Sequence, residues 1–247
     1  VDTSDEYAAQ LECPLGINGN SLLVATVDLQ AAIEKLYDNI PTARELTLSV
    51  LAYVSIVDEQ VTLVKGDDFV MTITPKAPPA SLPEEMYMIG SLYEWKWELA
   101  AKMIPVHSHE GMFWGIYYFD AGAEIKFNQV AYWDGGTDFG AATNDPHGYG
   151  EYEAGGNNIK IENAGFYQVV IVGTLPEDKS KVNYKYILSE PKPYVIGDAS
   201  PTGTWDIEEA NAFTFNGEVY ISSALKEGNL RMCVKLDGCE WWQTEFN

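Results

Sequence analysis

The sequence is poor in positive charge. Of 247 residues, 15 are Lys or Arg and 37 are Asp or Glu, which leaves a formal net charge of −22. Nothing therefore supplies the basic footprint that neutralises phosphates, and a nucleic-acid-binding role is excluded on charge. Adhesion to anionic lipid is disfavoured for the same reason. Cysteine is scarce too: Cys13, Cys233 and Cys239 are an odd number, so no fully paired disulfide framework exists. Cys233 and Cys239 could bridge a short hairpin or be free or buried thiols. No apolar run approaches the ~20 residues of a membrane-spanning helix. No basic stretch followed by an apolar one opens the chain, which reads as mature or trimmed. Also missing are the GxSxG, HExxH, Walker and dinucleotide patterns that announce common enzymes.

What the sequence does hold is aromatic. Hydrophobic residues make up 46%, which places the chain in the globular class. Seven Trp, 15 Tyr and 9 Phe exceed what a core needs, and every Trp lies after residue 94. The acidic charge is spread through the chain and suits a solubilising exterior around neutral ligands.

The apolar pattern has mostly a period of two. Leu46, Leu48 and Val50 alternate with Thr47 and Ser49, and Phe69 to Thr74 forms another strand before Pro75, with a short one at Val61 to Val64. Gly111 to Phe119, Ala123 to Gln129, Phe166 to Gly173 and Val182 to Leu188 continue the series. Such β-branched and aromatic runs, punctuated by Gly, Asn and Asp, predict an all-β chain of sandwich domains. One segment differs: Leu29, Ala32, Ile33 and Leu36 predict a short helix with Asp28 as its N-cap. Four prolines between Pro75 and Pro83 mark a linker, and Ser189-Glu-Pro-Lys-Pro193 marks a second junction. The expected organisation is a domain over 1–76, a linker over 77–83, a module over 84–191 and a second, incomplete module over 192–247.

The two modules repeat one another. Met86-Tyr-Met-Ile-Gly matches Pro193-Tyr-Val-Ile-Gly, Trp97 matches Trp205, Gly111-Met-Phe-Trp-Gly-Ile matches Gly217-Glu-Val-Tyr-Ile-Ser, Ala121-Gly-Ala-Glu-Ile-Lys126 matches Glu227-Gly-Asn-Leu-Arg231, and Trp133 matches Trp241. The near-uniform offset, between 106 and 108 residues at four landmarks, identifies an internal repeat. Duplication of a β unit favours a modular binder over a single catalytic centre.

The stretch Tyr87-Met-Ile-Gly, Trp97, Gly111-Met-Phe-Trp, Ala121 to Phe127, Trp133, Gly155-Gly-Asn-Asn-Ile-Lys and Ala164-Gly-Phe-Tyr resembles one module of the SusE/SusF-type surface lipoproteins of Bacteroidetes starch-utilisation systems. Ser21 to Gln30, Leu46 to Ala52 and Thr72 to Lys76 resemble that family's amino-terminal immunoglobulin-like domain. The resemblance implies an immunoglobulin-like domain followed by sandwiches of the carbohydrate-binding-module kind. It implies a lipid-anchored protein of the outer membrane, facing the medium and holding starch-like α-glucan for a SusC/SusD-like importer, with no catalysis and no cofactor. Set against the family's pattern, the expectation is that the lipidated cysteine and a first strand are missing from this sequence and that its final module is incomplete. Cys13, in Leu-Glu-Cys-Pro, does not have the form of a lipoprotein cleavage site.

Sugar rings present apolar C–H faces, which flat aromatic rings cover, and hydroxyl edges, which need polar partners. In the first module the candidates are Trp97 and Trp133 as platforms, Lys126 as a donor to hydroxyls, and Asn157 or Asn158 as donor and acceptor. The corresponding set in the second is Trp205, Arg231 and Trp241 or Trp242. The resemblance implies the same layout, aromatics from two loops and a basic residue on the strand between them. Against this stands burial: in Trp95-Lys-Trp97 alternation sends one indole to the core, Lys126 can be a solvated strand position, and Asn157-Asn158 can be a turn. Trp114 between aromatics is expected to be structural. His107-Ser-His109 lacks a third metal ligand and reads as an exposed loop, while Asp134 to Gly140 and Asn144-Asp-Pro-His are acidic loops without EF-hand spacing. No pair among the 37 carboxylates is marked as a glycosidase pair. A structural accessory of a SusC/SusD-like complex is the alternative to a glycan binder.

Overall fold

A computed structural model describes residues 15–18, 21–37, 40–56, 59–142 and 146–246. Cys13 lies outside them, as do Asn144 and Asp145. The chain divides into two compact units, Val1–Pro78 and Pro79–Asn247.

In the first unit, strands pair antiparallel in twos: β1 (Leu15–Asn18) with β2 (Ser21–Val24), β3 (Arg44–Leu48) with β6 (Phe69–Ile73), and β4 (Leu51–Ile56) with β5 (Glu59–Lys65). In β3, Leu46 and Leu48 are half-buried and Thr47 is exposed, as period two requires. The strand predicted at Val61 to Val64 is longer than expected, because the hairpin register carries it from Glu59 to Lys65. The helix α1 spans Thr26–Tyr37 and buries Ala32 and Ile33. It begins earlier than predicted, since the Ala25 carbonyl already accepts from the amides of Asp28 and Leu29, both at 3.1 Å. Asp28 is thus a first-turn residue rather than the N-cap, and its charge faces the positive end of the helix dipole.

The second unit contains a β-sandwich. One sheet holds five strands in the order β13 (Pro146–His147), β15 (Ile159–Ile161), β11 (Glu124–Asn128), β7 (Tyr87–Gly90) and β8 (Ala101–Lys102). The other holds six, in the order β12 (Gly140–Ala141), β14 (Gly150–Gly155), β17 (Asn183–Ser189), β16 (Gly165–Thr174), β10 (Met112–Phe119) and β9 (Ile104–Pro105). Met88, Ile125, Phe127 and Ile159 from the first sheet meet Phe113, Tyr167, Val169 and Ile171 from the second in one core. The alternate residues of β10 and β16, Trp114 and Val170, point the other way and are also buried, against Val234 and Leu236. Burial on both faces explains why β16 reads as a continuous apolar run rather than an alternation. Trp114 is 0% exposed, a structural residue as expected.

The strands β18 (Pro193–Ile196) and β21 (Arg231–Val234) form a two-stranded sheet of their own, and between them in sequence β19 (Thr214–Phe215) pairs with β20 (Tyr220–Ile221). The register of β18 and β21 copies that of β7 and β11. Ile89 faces Lys126 and Ile196 faces Arg231. The glycine ending each Ile-Gly pair is required by the same close approach. A Cβ on Gly90 would sit 2.2 Å from the Glu124 carbonyl oxygen, and one on Gly197 2.5 Å from that of Asn229.

Candidate functional site

The first site begins where β7 ends. A 3-10 turn over Ser91–Tyr93 is followed by Glu94 and Trp95 in the left-handed region, at φ 50° and 57°. The Trp95 amide donates back to the Gly90 carbonyl at 3.1 Å, and a second 3-10 turn covers Trp97–Leu99. The segment is therefore no strand, and the alternation expected of Trp95 and Trp97 does not hold: neither enters the core, and both are half-buried. Both meet Trp133. The Trp97 ring lies edge-on to it with centroids 4.9 Å apart, and Trp95 stacks at 6.4 Å with the planes 27° apart. A bulky side chain in the left-handed region costs of order 1–3 kcal/mol, which packing elsewhere must offset. Here that backbone brings a third indole to the pair.

Trp133 rides on the loop after β11 and is 49% exposed. Asn128, fully buried at the end of β11, fixes this loop from beneath. Its amide donates to the Tyr132 carbonyl at 2.9 Å, and its carbonyl oxygen accepts from the Gln129 amide at 2.8 Å and the Thr137 hydroxyl at 2.5 Å. Asp134 closes the turn, accepting from the amides of Gly136 and Thr137 and sharing the Thr137 hydroxyl proton with Asn128. Those hydrogen bonds, the Thr137 hydroxyl first among them, hold the Asp134 carboxyl below the ordinary aspartate range. The carboxylate thus organises its own loop.

Lys126 points away from the core, between its buried neighbours Ile125 and Phe127. It is not a solvated strand position. Its ammonium pairs with Asp138, and the two side chains are only 13% and 21% exposed. Phe127 and Phe139 exchange backbone hydrogen bonds, which sets Asp138 across from Asn128. Gly140 lies under the Lys126 stem, where a Cβ would stand 3.4 Å from the Lys126 Cγ and 2.2 Å from the Asn157 carbonyl oxygen. Asn157 is thereby brought beside Lys126 by its backbone, which pairs with Ala141. Its side-chain amide is exposed and reaches the Ala142 carbonyl at 3.5 Å. Asn158 instead donates to Glu124 at 2.9 Å.

In the second set, Trp205 is 38% exposed and lies 5.6 Å from Trp241, centroid to centroid. Its indole N–H donates to Asp198 at 3.2 Å, whereas the buried Nε1 of Trp97 has no hydrogen-bond partner among the described residues. Of the two sequence candidates, Trp241 joins Trp205, and Trp242 instead meets the His107 ring at 5.1 Å. Arg231 pairs with Glu245.

The structure thus brings Trp97 against Trp133, Lys126 beside Asn157, and Trp205 against Trp241. Sequence reasoning missed Trp95, Asn128, and the acids Asp138 and Glu245. The acids carried a signal, since one follows each cation by a similar interval. Asn128 carried none. Cys233 and Cys239 are free thiols, not a bridge. Among the described residues no three His, Cys, Asp or Glu side chains gather as a metal would need, and no helix is long and apolar enough to cross a membrane.

A family model described as SusF/SusE starch-specific CBMs matches residues 85–183 and 192–247. The chain is 34% identical over 186 residues to the outer membrane protein SusF of Bacteroides thetaiotaomicron, a match covering 67% of this chain and 36% of that protein. The chain thus spans about a third of that relative's length. The crystal structure of SusF from Bacteroides thetaiotaomicron is similar in fold, with a TM-score of 0.55 at 20% identity over 95% of this chain and 80% of that one.

Proposed function

Because the chain belongs to the SusF/SusE family of starch-specific carbohydrate-binding modules, we propose that it holds starch-like α-glucan through two repeated sites and does not cleave it. The observation that carries this reading is the twofold occurrence of one arrangement. A pair of indoles from two loops accompanies a cation at the same strand register, as Trp97 and Trp133 with Lys126 and as Trp205 and Trp241 with Arg231. Indole faces cover the C–H surface of a glucose ring, and the cations with Asn157 serve its hydroxyls. Each site binds weakly alone, and two on one chain gain by effective concentration. The name of the SusF relative supports a place at the outer membrane. There the protein presents glycan to a SusC/SusD-like importer from a lipid anchor.

Affinity electrophoresis on starch, dextran, levan and mannan tests the reading, with retardation expected on starch. Trp97→Ala with Trp133→Ala should remove the first site's share of it, and Trp133→Ala alone should leave the melting temperature within about 2 °C, because Trp133 stands on the surface. By contrast, Trp114→Ala should cost about 3–5 kcal/mol of stability. Retardation on none of the four glycans overturns the reading. A structural accessory role then leads. It draws support from Leu230 and Met232, the repeat counterparts of core Ile125 and Phe127, which are exposed and leave an apolar face open to a partner.

A further inference from the structure

The two modules share a feature beyond aromatics and cation. Phe127 faces Phe139 and Cys233 faces Glu245 across isolated bridges. Asp138 therefore lies across from the residue two beyond Lys126, and Glu245 lies across from the residue two beyond Arg231. Each acid pairs with its cation along the same diagonal, and each is the less exposed kind of carboxylate, at 21% and 18%. A diagonal neighbour in an antiparallel pair is within reach of long side chains, so the register itself builds the contact. Another ion pair of this sheet, Lys160 with Glu124, is not repeated, because Asn229 stands in the place of Glu124.

Resting on the glycan reading above, we propose that Asp138 and Glu245 are specificity-determining partners of Lys126 and Arg231, each pair binding one vicinal diol of a neutral pyranose. The chemistry is complementary. An ammonium or guanidinium only donates and a carboxylate only accepts, whereas each sugar hydroxyl does both. A cation alone satisfies hydroxyl lone pairs and offers the O–H groups no acceptor. The adjoining carboxylate takes them. The paired charges also cancel each other, so the pair itself presents no net charge to a neutral sugar. Holding the cation in place before the ligand arrives lowers the ordering cost of binding.

The test uses the whole chain carrying Trp205→Ala, which confines binding to the first site, and titrates maltoheptaose by calorimetry. Asp138→Asn should weaken binding about 10- to 100-fold, the worth of one hydrogen bond to a charged group. Asp138→Glu should restore most of it, and the melting temperature should hold in both. In the mirror experiment, Trp97→Ala confines binding to the second site and Glu245→Gln should produce a loss of the same order. That variant also covers the case in which Asp138→Asn does not fold. Binding by Asp138→Asn or Glu245→Gln as tight as in its parent, or tighter, overturns the proposal and leaves the acids as mere screens for the cations. Failure of both single-site parents to bind overturns the glycan reading itself, which is a different result.

Discussion

Asn128 is where one binding loop converges on a single side chain. Its amide and carbonyl serve Tyr132, Gln129 and Thr137 at once, and it is fully buried beneath the Trp133 loop. Removing it leaves partly buried backbone groups of the loop without partners, which costs about 1 kcal/mol. Asn128→Ala should therefore lower the urea midpoint of unfolding and also weaken α-glucan binding, because Trp133 loses its support. Asn157→Ala, which alters only an exposed amide, should touch binding without stability. That contrast separates a residue that builds the site from one that lines it. The candidate residues Trp97, Lys126 and Trp133 stand out in the sequence, since Trp and Lys recur there at repeated spacings. Asn128 does not, because its role comes from a loop folding back over it.

At the scale of elements, the strand pair is the unit that was duplicated. β7 with β11 and β18 with β21 keep one register, one cation position and one close approach at the Ile-Gly end. Gly90→Ala would place a Cβ 2.2 Å from a backbone oxygen, and backbone cannot swing aside as a side chain tip does. Gly90→Ala should lower the melting temperature by several degrees, with differential scanning calorimetry as the check. Gly197→Ala adds strain at φ 115°, where L-residues rarely sit, and should cost at least as much. The Ile-Gly motif was visible in the sequence as a repeat landmark. Its reason was not, because it lies in the carbonyl of the neighbouring strand. The Trp95 to Trp97 segment shows the converse. Read as a strand it sends one indole inward, but two consecutive left-handed residues turn it so that both indoles meet Trp133.

Over the whole molecule, burial raises the pKa of several groups that lose a proton in alkali, the Cys233 thiol and the Tyr184 and Tyr220 phenols among them. Burial, with the Glu245 charge second, pushes the Cys233 thiol up to about 12 from an ordinary 9.0. The folded state therefore keeps this proton where the unfolded chain releases it. The stabilisation is complete below about pH 9 and is lost as pH rises toward 12. Denaturation midpoints should fall above about pH 9, and Cys233→Ala should flatten that fall relative to the unaltered protein. A thiol-specific reagent at neutral pH should label Cys239 ahead of Cys233, which is fully buried.

The sequence by itself determined the class and the cast. Period-two patterning requires strands, the net charge is strongly negative, and the repeat names the same aromatic and basic positions twice. These are properties of local spacing and composition, and they survive without coordinates. Only the tertiary structure decided who meets whom. That Trp95 joins Trp97 at Trp133, that Trp241 rather than Trp242 joins Trp205, and that each cation finds an acid on the adjoining chain all depend on cross-strand register and loop closure. Register brings together residues twelve or fourteen apart in sequence on one face, and no local pattern carries that information.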